Sequence, residues 1–171
     1  DLRERALEAI EKTKFIPART QNRLKASVGG RLEWCLSRQR IWGVPIVAAL
    51  CKKCDAAFFD ATMINKVADA ISQEGVEHWD RVKLEDILPH NASCKSCGST
   101  DFVKESDILD VWFDSGISHF AVLKESASQS YPADIYIEGS DQHRGWFQSS
   151  LLTSIALEGT MCTRTIATHG Y

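Results

Sequence analysis

Long apolar runs are missing from this 171-residue chain: residues 44–50, among the longest, fall far short of the twenty or so that a bilayer-spanning helix needs. The basic start and apolar stretch of a secretory signal are missing too, so no membrane association and a cytoplasmic, reducing setting are expected. No internal repeat or low-complexity segment is found, which excludes solenoid and linker-like architectures. A large overall charge is also absent, but the net −3 hides an asymmetry, because residues 14–40 hold seven Lys or Arg against the single Glu33. That segment can meet phosphates, and charges on a solvated surface explain it equally well, so nucleic-acid binding is not assigned from it.

What is present suffices for one substantial core plus a small stapled module, at 44% hydrophobic residues. Leu2, Ala6, Ala9 and Ile10 give residues 2–13 helical periodicity, Pro17 breaks the pattern, and a short helix over residues 22–27 ends at Gly29 and Gly30. Residues 31–36 read as extended. Residues 44–50 read as a strand with a hairpin partner at 56–59. Asp60 or Thr62 can cap a helix whose apolar positions are Met63, Ile64, Val67, Ala68 and Ile71, closed by Gly75. Residues 82–89 are ambiguous, and residues 108–113 form a strand-like run before the polar turn Asp114, Ser115, Gly116. The chain starts at Asp1 inside a helical pattern and stops after the strand-like residues 164–168, and so reads as a piece of something larger.

Residues 135–148, IYIEGSDQHRGWFQ, carry the sharpest chemical signal. An apolar strand runs into a polar turn and then a helix with the apolar face Trp146, Phe147, Leu151, Leu152 and Ile155. Open α/β sheets bind ligands at such carboxyl ends, and a helix start offers unpaired N–H groups to an anion. A nucleotide-like ligand is expected, with Asp141 accepting from sugar hydroxyls. The alternative reading of Asp141 is a helix N-cap.

Cys51, Cys54, Cys94 and Cys97 form two CxxC knuckles, the spacing of a tetrahedral zinc site in which both thiolates of a knuckle point at one ion. Gly98 permits a tight turn after the second. Four cysteines leave no open coordination position, so the Zn2+ is expected to be structural, with residues 60–88 as a helical insertion; disulfides or unligated thiols are the alternative. Cys35 and Cys162 are expected to be plain buried thiols.

Together these blocks resemble the isoleucyl-tRNA synthetases of class I over nearly the whole chain. Trp34-Cys-Leu-Ser-Arg-Gln-Arg40 and Trp42-Gly-Val-Pro45 resemble the segment with which these enzymes re-enter the catalytic domain after the editing insertion. Leu109-Asp-Val-Trp-Phe-Asp-Ser-Gly116 and residues 132–152 resemble blocks that set the isoleucine enzymes apart. The resemblance implies an α/β fold, the second half of a Rossmann-like nucleotide-binding parallel sheet with an inserted zinc ribbon. Its strands are expected near residues 31–36, 108–113, 134–138 and 164–168. The implied division is 1–43 for the helical entry and first strand, 44–107 for the zinc-ribbon insertion, and 108–171 for the adenylate-binding half.

The implied reaction joins isoleucine to ATP, with Mg2+, as isoleucyl-adenylate and then passes the acyl group to tRNA(Ile). Trp112 and Trp146 are implied to wall the amino-acid pocket, and Glu138, Gly139, Asp141 and Gln142 to surround the adenylate. His169 is implied to lie near the adenosine. Arg38, Gln39 and Arg40 either contact tRNA or pack their segment, and His119 and His143 receive no partner. The His-Ile-Gly-His and Lys-Met-Ser-Lys-Ser signatures are absent, so the chain alone is expected to be inactive and to need the remainder of a synthetase chain. A non-catalytic, zinc-containing RNA-binding or assembly module is the alternative.

Overall fold

Three aspartates mark where helices begin. The computed structural model describes residues 1–170, with α1 (Leu2–Lys12), β1 (Lys14–Ile16), α2 (Gln21–Gly29), β2 (Ser37–Arg38), β3 (Ala49–Cys51), β4 (Ala57–Phe58) and α3 (Ala61–Glu74). There follow the single turns α4 (His78–Arg81) and α5 (Leu84–Ile87), then β5 (Phe102–Lys104), β6 (Ile108–Leu109), α6 (Val111–Gly116), β7 (Tyr136–Gly139), α7 (Trp146–Glu158) and β8 (Thr165–His169). Asp1 caps α1 in a reciprocal box with Glu4, Asp60 accepts from the Met63 N–H at 3.0 Å, and Asp110 accepts from the Trp112 N–H at 3.1 Å. The chain divides into two units, Ser37–Leu109 and a second formed by Asp1–Leu36 with the residues from Asp110 onward. Among the described residues no helix is long and apolar enough to cross a membrane.

In the unit holding both chain ends, a parallel sheet runs in the order β1-β8-β7. Phe15, Ile166 and Tyr136 lie side by side in register and all are buried, so this row faces the helices. Phe147, Leu151 and Ile155 on α7 are fully buried against it with Ala6 and Ile10 of α1 and Leu24 and Val28 of α2. The next row, Ile16, Ala167 and Ile137, points the other way, and Ile16 and Ile137 are exposed. Parallel sheets are ordinarily covered on both faces.

The parallel α/β sheet is therefore present, but two of its expected strands are not in it. Residues 31–36 form no strand, and residues 108–113 split into the two-residue β6, antiparallel to β2, and the helix α6. Asp110 supplies the cap that turns an apolar run into a helix, a choice that periodicity over six residues cannot make. Their place is taken by β1, three residues between α1 and Pro17, too short to leave a pattern. Cys35 is exposed rather than buried, whereas Cys162 is buried as expected.

In the Ser37–Leu109 unit a three-stranded antiparallel sheet runs β4-β3-β5. The expected strand over residues 44–50 is shortened to β3: the Ala48 N–H turns back to the Ile46 carbonyl at 2.8 Å, which interrupts the run. Asp60 rather than Thr62 caps α3, whose buried residues Met63 and Val67 pack with Trp79 and Ile87. Gly75 ends it at φ 86°, a backbone that favours glycine.

His119 is completely buried behind α7, its Nε2 3.1 Å from the Thr153 hydroxyl and its ring beside Tyr131. Burial holds its pKa below the usual imidazole value of 6.5; Glu158 opposes the shift and Lys124 adds to it. The unfolded chain then binds the proton more readily than the folded one, so stability is full above that ordinary value and is lost as pH falls through the folded one. Calorimetry from about pH 7.5 down to about pH 5 should show the melting temperature falling. His119→Gln, which preserves a polar group for Thr153 and cannot take the proton, should fall less steeply.

Candidate functional site

β7 and β8 end together. Glu138 pairs in register with Thr168, and Gly139 with His169, so Glu138, Gly139 and His169 share the carboxyl edge of the parallel strands. Glu138 and His169 are exposed there, and His169 Nδ1 lies 2.8 Å from the Gly170 carbonyl. A 3₁₀ turn over Ser140–Arg144 separates this edge from α7, in the place of the polar turn expected between strand and helix. Asp141, on the turn, is exposed and accepts from Gln142 Nε2 at 3.0 Å. The cap of α7 comes from Gln142, whose Oε1 accepts from the Trp146 N–H at 2.9 Å, and not from Asp141. One of the N–H groups expected to be open to an anion is thus already satisfied.

Trp112 and Gln142 close on Gly145. A Cβ built there would lie 2.6 Å from Gln142 Oε1 and 2.9 Å from Trp112 Cη2, so the Trp112 ring and the Gln142 amide both abut the bare backbone. Trp112 is 43% exposed, which rules out a sealed core position. Trp146 is half-buried, stacked on Tyr136 at 4.2 Å, and its indole N–H donates to the Ser115 carbonyl at 3.0 Å. Helix α6, which carries Trp112, approaches α7 closely at Gly116, where a Cβ would lie a tight 3.1 Å from the Ser149 backbone. Of the seven anticipated binding residues, Glu138, Gly139, Asp141, Gln142 and Trp146 fall on one strand-turn-helix junction, Trp112 on the helix beside it, and His169 on the neighbouring strand β8. Sequence patterning missed Gly145, and also His143, which is buried within the turn.

A cleft of about 550 Å³ lies elsewhere in the same unit, lined by Leu2, Arg31, Trp34, Phe113, Leu152 and Leu157 among others. None of the seven residues lines it, and its walls are mostly apolar. The polar groups gathered at the strand ends have the chemistry of a nucleotide site, so the junction rather than the cleft is the candidate. In the basic segment, Lys25 pairs with Glu11 at 3.1 Å, and Arg31 covers the Trp34 ring and donates to Gln148. Arg38 donates to the Ser37 carbonyl and Gln39 to Asp107, while Arg40 is exposed.

In the other unit Cys51, Cys54, Cys94 and Cys97 bring their sulfurs within 4.8 Å of one another and could hold a metal ion. The two knuckles are near copies. The Asp55 N–H donates to the Cys51 carbonyl and the Gly98 N–H to the Cys94 carbonyl, each at 2.8 Å, and Asp55 and Gly98 both take a left-handed φ, 56° and 71°. N–H groups of Cys97 and Ser96 aim at the Cys94 sulfur and lower its pKa to about 6. Burial pushes the Cys51 thiol up, but donors from Lys53 and Cys54 outweigh it and the net shift is down. At Cys54 the Ala56 N–H pulls down, and the Cys97 and Cys94 sulfurs overcome it, raising the thiol to about 12. Thiolates crowded this closely need a cation, and N–H donors around sulfur are what a metal–thiolate site requires.

The family model for class I tRNA synthetases (I, L, M and V) matches residues 1–171. The chain is 48% identical over 171 residues to the isoleucine–tRNA ligase of Gloeobacter violaceus, covering 100% of this chain and 17% of that protein. It is 48% identical over 174 residues to the isoleucine–tRNA ligase of Lawsonia intracellularis, covering 100% of this chain and 19% of that one. For that of Sulfurihydrogenibium sp. the identity is 49% over 174 residues, covering 99% and 18%. The chain thus spans less than a fifth of the length of these curated relatives. Among solved structures, the ternary complex of Agrobacterium radiobacter K84 agnB2 LeuRS-tRNA-LeuAMS shares the fold at TM-score 0.50 and 23% identity, over 81% of this chain and 19% of that one. The chain belongs to the class I tRNA synthetase family.

Proposed function

We propose that this chain forms part of the aminoacylation site of an isoleucine–tRNA ligase. Such an enzyme activates isoleucine with ATP and Mg2+ as isoleucyl-adenylate and transfers the acyl group to tRNA(Ile), partners that the rest of a synthetase chain would help to hold. The observation that carries this reading is the approach of Trp112 and Gln142 to Gly145, beside the edge where Glu138, Gly139 and His169 end the parallel strands. Asp141 would accept from the ribose hydroxyls, while Glu138 and the Gln142 N–H not given to Asp141 would meet the ammonium and acyl-phosphate groups. The indole faces of Trp112 and Trp146 would select the side chain by shape, and His169 would lie beside the adenosine.

Such a pocket resolves one methylene only weakly, by about 1–3 kcal/mol, and isoleucine against valine is the standard example of that limit. In the other unit the four cysteines would hold a structural zinc. Sulfamoyl analogues of isoleucyl-, valyl- and leucyl-adenylate test the assignment, since a ligand that binds the folded state raises its melting temperature. The isoleucyl analogue is expected to give the largest increase. Equal shifts from all three, or a larger one from another, would contradict the isoleucine assignment.

A further inference from the structure

His143 sits inside the Ser140–Arg144 turn, 2% exposed. Its Nδ1 lies 2.7 Å from the Ser140 carbonyl oxygen, its ring meets Phe147 edge-on at 5.5 Å and 82°, and its Nε2 is buried without a hydrogen-bond partner among the described residues. These contacts decide which nitrogen carries the proton. A proton on Nε2 would bury an unsatisfied N–H and set the Nδ1 lone pair against the Ser140 oxygen; a proton on Nδ1 makes the bond and leaves only a bare acceptor buried.

We propose that His143 is the positioning residue of the strand-turn-helix junction. Its Nδ1–H donates to the Ser140 carbonyl and closes a ring across the two residues between them, Asp141 and Gln142. Contact with Phe147, which is fully buried on α7, anchors that ring to the core. The clamp fixes the direction of the Asp141 carboxylate and of the Gln142 amide that caps α7. What it positions them for rests on the aminoacyl-adenylate reading above; the clamp itself does not.

Two isosteres separate a clamp from simple packing. The amide nitrogen of asparagine overlays Nδ1, whereas that of glutamine overlays Nε2 and its volume is closer to histidine's. On the 171-residue chain, long-range ¹H–¹⁵N correlation should show His143 protonated at Nδ1 and bare at Nε2; the reverse tautomer overturns the proposal. Affinity for the isoleucyl sulfamoyl analogue should fall about tenfold or more in His143→Gln and in His143→Phe, and stay within about threefold in His143→Asn. Equal losses in the asparagine and glutamine variants, or a better glutamine variant, also overturn it. If the unaltered chain binds no analogue, the adenylate reading fails, and backbone order parameters for residues 140–144 then decide the clamp. They should match the unaltered chain in His143→Asn and drop in His143→Gln, and a drop in neither or in both refutes the clamp.

Discussion

Cys94→Ser is expected to abolish tight zinc binding and to disorder the β4-β3-β5 ribbon. The strands are two or three residues long, and the buried cluster beneath them consists of Ala49, Cys51, Cys94 and Phe102, so half of its members belong to the cysteine group that could hold the metal. So small a core cannot offset the entropy of ordering the knuckles, and a structural zinc contributes roughly 10–16 kcal/mol in small metal-dependent folds. The Cys97 and Ser96 N–H groups hold the Cys94 thiol well below the usual range, at about 6, and serine supplies no comparable ligand. Atomic emission should find one zinc per unaltered chain and none retained by the variant after dialysis. Amide resonances of residues 49–58 and 94–104 should collapse toward random-coil positions. A variant that keeps these resonances dispersed without metal would contradict a structural role.

Gly145→Ala is expected to lower affinity for the isoleucyl-adenylate analogue by at least about tenfold, or about 1.4 kcal/mol. The added methyl group would fall 2.6 Å from Gln142 Oε1 and 2.9 Å and 3.1 Å from two carbons of the Trp112 ring. The amide can swing aside, but only by giving up its bond to the Trp146 N–H, and the indole must then move as well. The stability cost should be about 1–3 kcal/mol, typical of overpacking, so the protein should still fold at room temperature. Isothermal titration measures the first effect and chemical denaturation the second. Unchanged affinity would mean that Trp112 and Gln142 do not form one wall of the site.

Much of this architecture was legible because it rests on local rules. A helix cap at Asp60 or Thr62, which the structure resolves to Asp60, the Gly75 stop and the paired CxxC knuckles each follow from the geometry of a few neighbouring residues. The strand-turn-helix order of residues 135–148 was legible too, and the long motif blocks identified the family. Elements decided by tertiary context were not. β1 is a strand because β8 offers it a parallel edge, and nothing in Lys14-Phe15-Ile16 alone says so. α6 is a helix because the Asp110 carboxylate, which also receives the Trp34 indole N–H at 2.8 Å, turns toward the Trp112 amide. The Gln142 cap and the His143 clamp depend on where side chains 140–147 point, which spacing does not encode.

The central claim is that the end of β7 and the start of α7 cradle an activated amino acid. Titrating the isoleucyl sulfamoyl analogue into the ¹⁵N-labelled chain tests it most directly. Shifts should concentrate at Gly139, Asp141, Gln142, His169 and the indole N–H groups of Trp112 and Trp146. Shifts confined to the cleft of Leu2, Trp34 and Leu157, or no shifts at saturating analogue, would contradict it.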